Sequence, residues 1–169
     1  MTDNDPNDGA QWDAVEEATE MMLEGAHHDA LLKLRDVLRA DPRNPYAYYY
    51  TATAMYELGQ FDACAEAYRA ALRLQPRYLA ARVGLSHALR ILDEPRAAIG
   101  EARQALQQSP TDADALYALG LAQAAVGDRR QAIATLEAFL DAGPEFEVAA
   151  EGRAMLEKLK ADEPDNDAN

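Results

Sequence analysis

Small and large apolar positions alternate along this chain with a period of 34 residues. Small side chains return at two places in each period: Ala18, Ala52, Ser86 and Gly120, and again Ala30, Cys64, Ala98 and Ala132. Leucine returns at a third place: Leu38, Leu72, Leu106 and Leu140. Two helices packed about 8–10 Å apart leave no room for large side chains where they cross. The small positions therefore predict helix crossings, and the leucines predict the packing beside them.

Residues that end helices follow the same period. Prolines stand 34 residues apart at Pro42, Pro76, Pro110 and Pro144. A proline cannot continue a helix and forces the preceding residue out of helical dihedrals. Between the prolines, Gly25, Gly59 and Gly127 can take the left-handed conformation that ends a helix. The predicted unit is helix, tight turn, helix and proline turn, in four windows: 11–44, 45–78, 79–112 and 113–146.

Polar residues at the predicted helix starts agree with this division. Asn44, Asp112 and Asp128 are placed to accept hydrogen bonds from the first free N–H groups of a helix. The third window lacks the glycine in its middle, and there Asp93 is predicted to cap the second helix. Pro95 is predicted to occupy the first turn of that helix, where its missing N–H costs nothing.

Composition favours an all-α fold. Hydrophobic residues make up 49% of the chain and aromatic residues 7%, and alanine is far commoner than valine. Alanine has the highest helix propensity and β-branched residues have lower ones. With the 34-residue period, this predicts helices throughout the domain. The single Cys64 cannot form an internal disulfide and fits a buried thiol in a reducing compartment.

The net charge of −14 is concentrated at the ends of the chain. Residues 1–10 and 161–169 together hold seven acidic residues and no basic one, and are predicted to be disordered tails. An acidic surface repels phosphate backbones, so we expect no nucleic-acid partner. The longest uncharged stretch, 44–56, is shorter than the roughly 20 residues of a membrane span. Because the acidic start is also unlike a secretory signal, we expect a cytoplasmic protein without a membrane partner.

The unit resembles the tetratricopeptide repeat, a 34-residue helix-turn-helix with the pattern W-x2-L-G-x2-Y, A-x3-F and P. Three windows match it in phase: the fourth through Leu116, Leu119, Gly120, Ala132, Leu136 and Pro144; the second through Tyr48, Ala52, Gly59, Tyr68, Ala71 and Pro76; the third through Leu85, Leu89, Ala98, Ala105 and Pro110. The first window is degenerate, as expected of a terminal repeat with no neighbour on one side. Residues 147–160 are predicted to form a capping helix at the other end.

This resemblance implies a right-handed α-solenoid of antiparallel helix pairs, whose first helices line a concave face that binds another protein or peptide. A stripe of the second window would point into that concavity, and equivalent places in the other windows would join it. The candidate partner-binding residues are Trp12, Tyr46, Tyr49, Tyr50, Thr53, Tyr56, His87, Arg90 and Tyr117. Among them His87 and Arg90 are the polar candidates, and Arg90 could steer a carboxylate.

Two interpretations of the tyrosine stripe stay open. The tyrosines could pack against neighbouring first helices and serve only the fold. Alternatively they form a binding groove, because tyrosine offers a rigid ring with a polar end and loses little rotamer entropy. A clamp for a C-terminal carboxylate, which some members of the family build from Lys, Asn and Arg, is disfavoured. The corresponding residues here are Val15, Thr19, Tyr50, Ala80 and Gly84, and none is a cation or an amide.

We expect no catalysis, cofactor or metal. His27 and His28 are adjacent, so they would point in different directions from a helix, and no further ligand is paired with them. Cys64 belongs to a helix crossing and His87 to the groove side of the next repeat, so a thiol–imidazole pair is not expected. Acidic residues at helix starts are explained by capping.

Two classes of function follow. The first is an adaptor or scaffold that holds a segment of a partner protein in the concave groove. The second is a secretion-type chaperone that keeps an apolar client soluble, as similarly sized acidic proteins built from these repeats do. Self-association through the end repeats, giving a self-assembling scaffold, is compatible with either.

Overall fold

The computed structural model describes residues 8–161, and these residues form ten helices without a strand. In chain order the helices are α1 (Asp8–Asp13), α2 (Glu16–Leu23), α3 (His27–Ala40), α4 (Pro45–Glu57), α5 (Phe61–Leu74), α6 (Leu79–Ile91), α7 (Pro95–Gln108), α8 (Ala113–Ala125), α9 (Arg129–Asp141) and α10 (Phe146–Ala161). The all-α fold class predicted from the sequence is confirmed.

The 34-residue period is visible in where the helices begin. The first helices α4, α6 and α8 begin at Pro45, Leu79 and Ala113, and each has 13 residues. The second helices of the four windows, α3, α5, α7 and α9, also begin at intervals of 34 residues. The first window differs, because its first helix is broken into α1 and α2. The second and fourth windows are therefore each one helical hairpin, and the first is a hairpin with a separate leading helix.

The chain divides into two compact units, each with its own core. Unit 1 is Met1–Ala88 and unit 2 is Leu89–Asn169. The unit 1 cluster consists of Val15, Ala18, Ala30, Leu34 and Ala47. The unit 2 cluster consists of Leu116, Leu136, Phe139 and Leu156. Both clusters join residues of at least three helices, so the apolar surface is buried between hairpins as well as within them.

The small positions of the period are buried, as the sequence predicts. They are Ala18, Ala52, Ser86 and Gly120 in the first helices, and Ala30, Cys64, Ala98 and Ala132 in the second helices. A Cβ atom built on Gly120 would stand 2.8 Å from Cγ and from Cδ2 of Leu136. Since real Cβ contacts of that length are essentially absent, Gly120 is required by the approach of α8 to α9.

The tight turns between the helices of a window use one pattern of hydrogen bonds. At Gly59 (φ 70°), the N–H donates to the Tyr56 carbonyl at 2.9 Å, and the next N–H donates to the Met55 carbonyl at 2.8 Å. This pair of bonds is the Schellman motif, which needs a left-handed residue just after the helix. Gly25 and Gly127 take the same conformation at the equivalent places.

Asp93 takes the left-handed place in the third window. Its φ is 61°, and the following N–H, of Glu94, donates to the Leu89 carbonyl at 2.8 Å. The prediction that Asp93 caps α7 is wrong, because the N-cap of α7 is Glu94, which makes no side-chain cap bond. Asp93 is instead the residue that ends α6. Pro95 begins α7, as predicted.

The other predicted caps form. Asn44 accepts from the Ala47 N–H at 3.0 Å, and Asp112 accepts from the Ala115 N–H at 2.8 Å. Asp128 accepts from the Gln131 N–H at 3.2 Å. Each bond satisfies one of the N–H groups that a helix start leaves without a partner.

Helix α10 packs onto the last hairpin of unit 2. Gly152 lies against the Phe139 ring, since a Cβ there would stand 2.9 Å from Cδ1 of that ring. The Arg129 guanidinium donates to the carbonyls of Leu159 and Lys160, which lie at the end of α10. The contact satisfies carbonyls that have no partner within the helix.

The predicted terminal segments fall mostly outside the described residues. Of the predicted tails, 1–7 and 162–169 are not described, whereas Asp8, Gly9 and Ala10 belong to α1 and Ala161 ends α10. The predicted capping helix, 147–160, corresponds to α10.

Gly120→Leu should lower the free energy of unfolding by about 1–3 kcal/mol, because the new side chain overpacks the contact with Leu136. The matched control is Gln107→Leu on α7, where the side chain is exposed, and it should change stability by less than about 0.5 kcal/mol. Urea denaturation followed by circular dichroism measures both. A larger loss for Gln107→Leu than for Gly120→Leu would contradict the position of the crossing.

Asp93→Gly should raise the free energy of unfolding by up to about 1 kcal/mol. Glycine removes the steric cost of a left-handed L-residue, and its greater freedom in the unfolded chain offsets part of that gain. The reciprocal change, Gly59→Ala, should cost about 1 kcal/mol in the same measurement. A stabilising Gly59→Ala together with a destabilising Asp93→Gly would contradict the assignment of these turns.

Candidate functional site

Helix α4 presents the predicted tyrosine stripe. Its small residues Ala47, Ala52 and Ala54 are buried between α3 and α5. Tyr46, Tyr49 and Tyr50 lie at spacings of three and four residues, so they share a face of the helix. All three are half-buried. They are neither enclosed in the core nor fully exposed, which places them between the two interpretations drawn from the sequence.

Six rings of unit 1 form one continuous group, which we call the aromatic cluster. Its members are Trp12, Tyr46, Tyr49, Tyr50, Tyr68 and Tyr78. Tyr49 lies at the centre, with ring centroids 4.9 Å from Tyr78, 5.0 Å from Tyr50 and 5.8 Å from Tyr68. These separations are those of favourable aromatic pairs. The cluster therefore supports its own geometry through contacts between rings.

Tyr68 forms the buried base of the aromatic cluster. It lies on α5, only 5% of its surface is exposed, and its hydroxyl is 3.3 Å from Oγ1 of Thr53. Gly84 of α6 makes room for this ring, because a Cβ there would stand 2.7 Å from the Tyr68 hydroxyl and 2.8 Å from Cε1. The sequence had indicated Tyr68 only as a residue of the repeat pattern. A glycine inside the predicted helix α6 was the available signal that a large side chain lies opposite.

Tyr78 is the second member that the sequence did not indicate as a site residue. It follows the proline turn after α5 and is half-buried, with its ring 5.7 Å from Tyr46 and 4.9 Å from Tyr49. Turn residues carry no helical periodicity, so the pattern could not assign Tyr78 to a face. Its position depends on how the turn folds back over α4.

Trp12 closes the cluster at its other end. Its ring meets Tyr46 edge-on at 5.1 Å and Tyr50 at 6.0 Å. About half of the Trp12 side chain is exposed, at 49%. The predicted residues Trp12, Tyr46, Tyr49 and Tyr50 are thus brought together, and Thr53 joins them through Tyr68.

Burial raises the pKa of four hydroxyls in the cluster. For Tyr46, desolvation and the hydrogen bond to the Asp8 carboxylate raise the pKa to about 12. Desolvation is also the first cause of the raised pKa of Tyr50, Tyr68 and Tyr78, and neighbouring tyrosines raise each pKa further. The hydrogen bond with Thr53 offsets part of the rise in the Tyr68 pKa. All four hydroxyls therefore stay protonated at neutral pH and can donate a hydrogen bond.

The other predicted site residues are not among the six rings that define the aromatic cluster. Tyr56 packs its ring 5.4 Å from Phe61, at the far end of α4. His87 is half-buried on α6. In unit 2, Tyr117 stacks on Phe139 at 5.0 Å and donates to Glu151 at 3.2 Å. Arg90, also in unit 2, has a buried Nε that makes no hydrogen bond within the described residues.

Cys64 and the candidate metal ligands are the other chemical groups weighed from the sequence. Cys64 is buried, and desolvation raises the pKa of its thiol to about 12, so it is not a thiolate at neutral pH. Over the described part of the chain, no three His, Cys, Asp or Glu side chains are grouped so that they could hold a metal ion. Between residues 8 and 161, no helix is both long and apolar enough to cross a membrane.

Comparison with protein families agrees with the repeat pattern. Models described as tetratricopeptide repeat match residues 45–78 and 84–145. Together the matches cover more than half of the chain and confirm the resemblance predicted from the sequence. A search of curated proteins finds no match.

Solved structures share the fold at low sequence identity. TTC0263, a thermophilic TPR protein of Thermus thermophilus, aligns with a TM-score of 0.74 and 23% identity over 89% of this chain and 81% of its own. MamA from Desulfovibrio magneticus RS-1 aligns with a TM-score of 0.70 and 20% identity over 89% and 93%. YrrB, described as a TPR protein with an unusual peptide-binding site, aligns with a TM-score of 0.69 and 18% identity over 88% and 76%. These likenesses confirm the predicted α-solenoid fold class.

Alkaline titration should reveal four late-ionising tyrosines in the folded chain. In the folded chain, Tyr46 should ionise near pH 12, and Tyr50, Tyr68 and Tyr78 should also ionise above the ordinary value of 10. The folded state then holds protons that the unfolded state has released, so stability should fall as the pH rises above about 10. Absorbance near 295 nm measures the ionisation of tyrosine.

The control for this titration is the chain unfolded in urea, in which all tyrosines should ionise together near pH 10. Tyr46→Phe should remove one late-ionising group and weaken the fall in stability with pH. A single midpoint near pH 10 in the folded chain would contradict the burial of the cluster.

Proposed function

The chain belongs to the tetratricopeptide repeat family, and we propose that it is a non-catalytic interaction module that holds a segment of a partner protein on the aromatic cluster of unit 1. One observation carries this proposal: five tyrosines and a tryptophan lie in mutual contact, and only Tyr68 among them is buried. The others keep part of their rings at the surface. Such a concentration of partly exposed aromatic residues is typical of binding sites.

The physical properties of the cluster suit recognition of a peptide or protein segment. Tyrosine and tryptophan supply large contact areas with few rotatable bonds, so little conformational entropy is lost on binding. The rings already support each other through contacts of about 5–6 Å, as at Tyr49 and Tyr78. A surface that is ordered before binding avoids part of the ordering cost.

The hydroxyls add polar contacts at the rim. Tyr46, Tyr50 and Tyr78 remain protonated because burial raises the pKa of each. Tyr50 and Tyr78 can donate to a carbonyl or carboxylate of the partner while their rings make the apolar contact, and Tyr46 can do so by exchanging its bond to the Asp8 carboxylate. The peptide-binding site described for YrrB supports a partner of this class. Because association itself costs on the order of 4–15 kcal/mol, we expect moderate affinity and transient binding.

A cytoplasmic location is part of this proposal. The one cysteine of the chain, Cys64, is a buried free thiol. Free cysteines are typical of reducing compartments, where disulfides do not form.

A self-assembling scaffold is the second candidate. Large apolar side chains are exposed away from the aromatic cluster, at Leu23 with 90% exposure and at Phe146 with 81%. Exposed apolar side chains can mark contacts between copies of a protein. In this function the mass of the assembly depends on concentration, and the cluster tyrosines are not needed.

Replacing both Tyr49 and Tyr50 by Ala should abolish capture of partner proteins from native lysate by the full-length chain. The change removes the central ring and one of its neighbours, and with them the main apolar contact area. Tyr49→Phe/Tyr50→Phe keeps the rings and should retain most of the binding. Phe146→Ala removes an exposed ring from unit 2 and is the matched control, with no expected loss. Mass spectrometry identifies the captured proteins.

The outcomes of this experiment separate the functions. Loss of a set of partners with the double alanine variant supports an adaptor, and loss of a single apolar client supports a chaperone. Identical capture by the wild type and the folded double alanine variant would refute binding at the cluster. Circular dichroism establishes that each variant keeps its helices. A mass that rises with concentration in both proteins would favour the self-assembling scaffold.

A further inference from the structure

Helix α1, which carries Trp12, is docked on the tyrosines of the aromatic cluster. Helix α1 contacts α4, and none of its six residues is buried. The Tyr46 hydroxyl donates to the Asp8 carboxylate, and Trp12 packs edge-on against the same tyrosine. Asp8 and Trp12 are four residues apart, so they lie on one face of the helix. The helix thus binds the rim of the cluster with one carboxylate and one aromatic ring.

Polar contacts hold the middle of α1 to the turn before α4. The Gln11 side chain donates to Oδ2 of Asp41 at 2.6 Å and to the Arg43 carbonyl at 3.3 Å. Nδ2 of Asn44 donates to the Gln11 carbonyl at 2.8 Å. Gln11 and Asp41 are only partly buried, so water can replace the contacts between them at small cost.

The connection between α1 and the rest of unit 1 allows the helix to detach. The helix ends at Asp13, and α2 begins only at Glu16. Val15, in the break, is 1% exposed and belongs to the unit 1 core cluster. It anchors the chain at the point from which α1 would swing away. A helix of six residues is too short to be stable alone, so α1 keeps its helical form only while it is docked.

We propose that α1, with its Trp12, is a tethered ligand of the five tyrosines of the aromatic cluster, and that a partner protein displaces it with a helical segment carrying a carboxylate and a large aromatic side chain four residues apart. This rests on the proposed function, because it concerns the same surface. The partner segment would repeat the two contacts of α1: its carboxylate would accept from the Tyr46 hydroxyl, and its ring would pack on Tyr46 and Tyr50. Half-buried tyrosines of the cluster, such as Tyr50 and Tyr78, would supply further contact area to a longer partner segment.

The tether sets how strongly α1 competes. A short flexible connection gives an effective concentration in the millimolar range. A separate peptide that makes only the contacts of α1 must compete with docked α1 in the wild-type chain. Its affinity for the wild-type chain is therefore lower than its affinity for a chain whose α1 lacks the Trp12 ring. A true partner must add contacts to displace α1 at physiological concentrations. Docked α1 therefore sets a minimum affinity that a partner segment must exceed in order to bind.

The probe is a synthetic peptide of residues 1–15 with an N-terminal fluorescein, titrated by fluorescence anisotropy against full-length chains. Trp12 is the only tryptophan of the protein, so in the Trp12→Ala chain the emission of the peptide's tryptophan reports its own burial. We expect saturable binding to the Trp12→Ala chain with a blue shift of that emission. Binding to the wild-type chain should be at least about fivefold weaker, because tethered α1 occupies the site.

Variants of the two contacts test the chemistry of the partner. In the Trp12→Ala background, Tyr46→Phe keeps the ring and loses the donor, so affinity for the peptide should fall about threefold to tenfold. The peptide with Asp8→Ala should show a similar loss, and this loss should vanish against the Tyr46→Phe chain. The peptide with Trp12→Ala should not bind. Leu32→Ala, which shortens an exposed side chain of α3, is the control in the same background and should leave affinity unchanged.

Three results would overturn the proposal. The first is no binding to the folded Trp12→Ala chain at peptide concentrations up to about 5 mM, the range of a short tether. The second is equal affinity for the wild-type and Trp12→Ala chains, since α1 would then not compete. The third is a wild-type dimer in sedimentation that Trp12→Ala abolishes, because α1 of a second copy would then be the occupant. The two proposals can also fail separately. If the peptide binds as expected but the double alanine variant captures the same proteins as the wild type, the proposed function is refuted and the α1 contact remains established.

Discussion

The close approach of paired helices is the constraint on which the rest of this structure depends. At Gly120 a single added carbon would collide with Leu136, and the equivalent small positions, from Ala18 to Ala132, are all buried. Because these places admit only small side chains, they fix how each helix is rotated about its axis relative to the helix it crosses. That rotation decides which face of the first helix turns away from its partner helix. In α4 the small Ala52 is buried at the crossing, and Tyr46, Tyr49 and Tyr50 lie beside it, with Tyr49 still in contact with Tyr68 of α5.

The aromatic cluster is built on a large residue, Tyr68, at a buried place of the repeat. Leu34, Tyr68 and Leu136 stand at equivalent places of the period, and all three are buried. The tyrosine is longer than leucine, so its ring reaches α6, where Gly84 leaves room for it. Its hydroxyl reaches Thr53, and its ring lies beneath Tyr49. The cluster therefore has a base held by the core and a rim of half-buried rings, which is a suitable arrangement for binding without a large rearrangement.

The first repeat differs from the others in a way that bears on binding. Its leading helix is interrupted at Val15, whereas α4, α6 and α8 are continuous. The interruption lets α1 turn onto α4 and cover part of the rim with Trp12. The rings pack within unit 1, as the first interpretation of the tyrosine stripe expects. Their remaining exposure is the feature on which the proposed binding rests.

By itself the sequence determined the period, the turns marked by proline and glycine, and the buried small positions. Proline and glycine restrict the backbone locally, and a crossing requires a small residue wherever it occurs, so these features can be predicted from neighbouring residues. It also indicated the aromatic residues of α4. Only the tertiary structure decided that Tyr78 and Tyr68 complete the cluster, that Asp93 ends α6, and that α1 docks through Trp12. Contacts such as Trp12 to Tyr46 join residues of different helices, and their geometry depends on how whole helices pack, which no local pattern encodes.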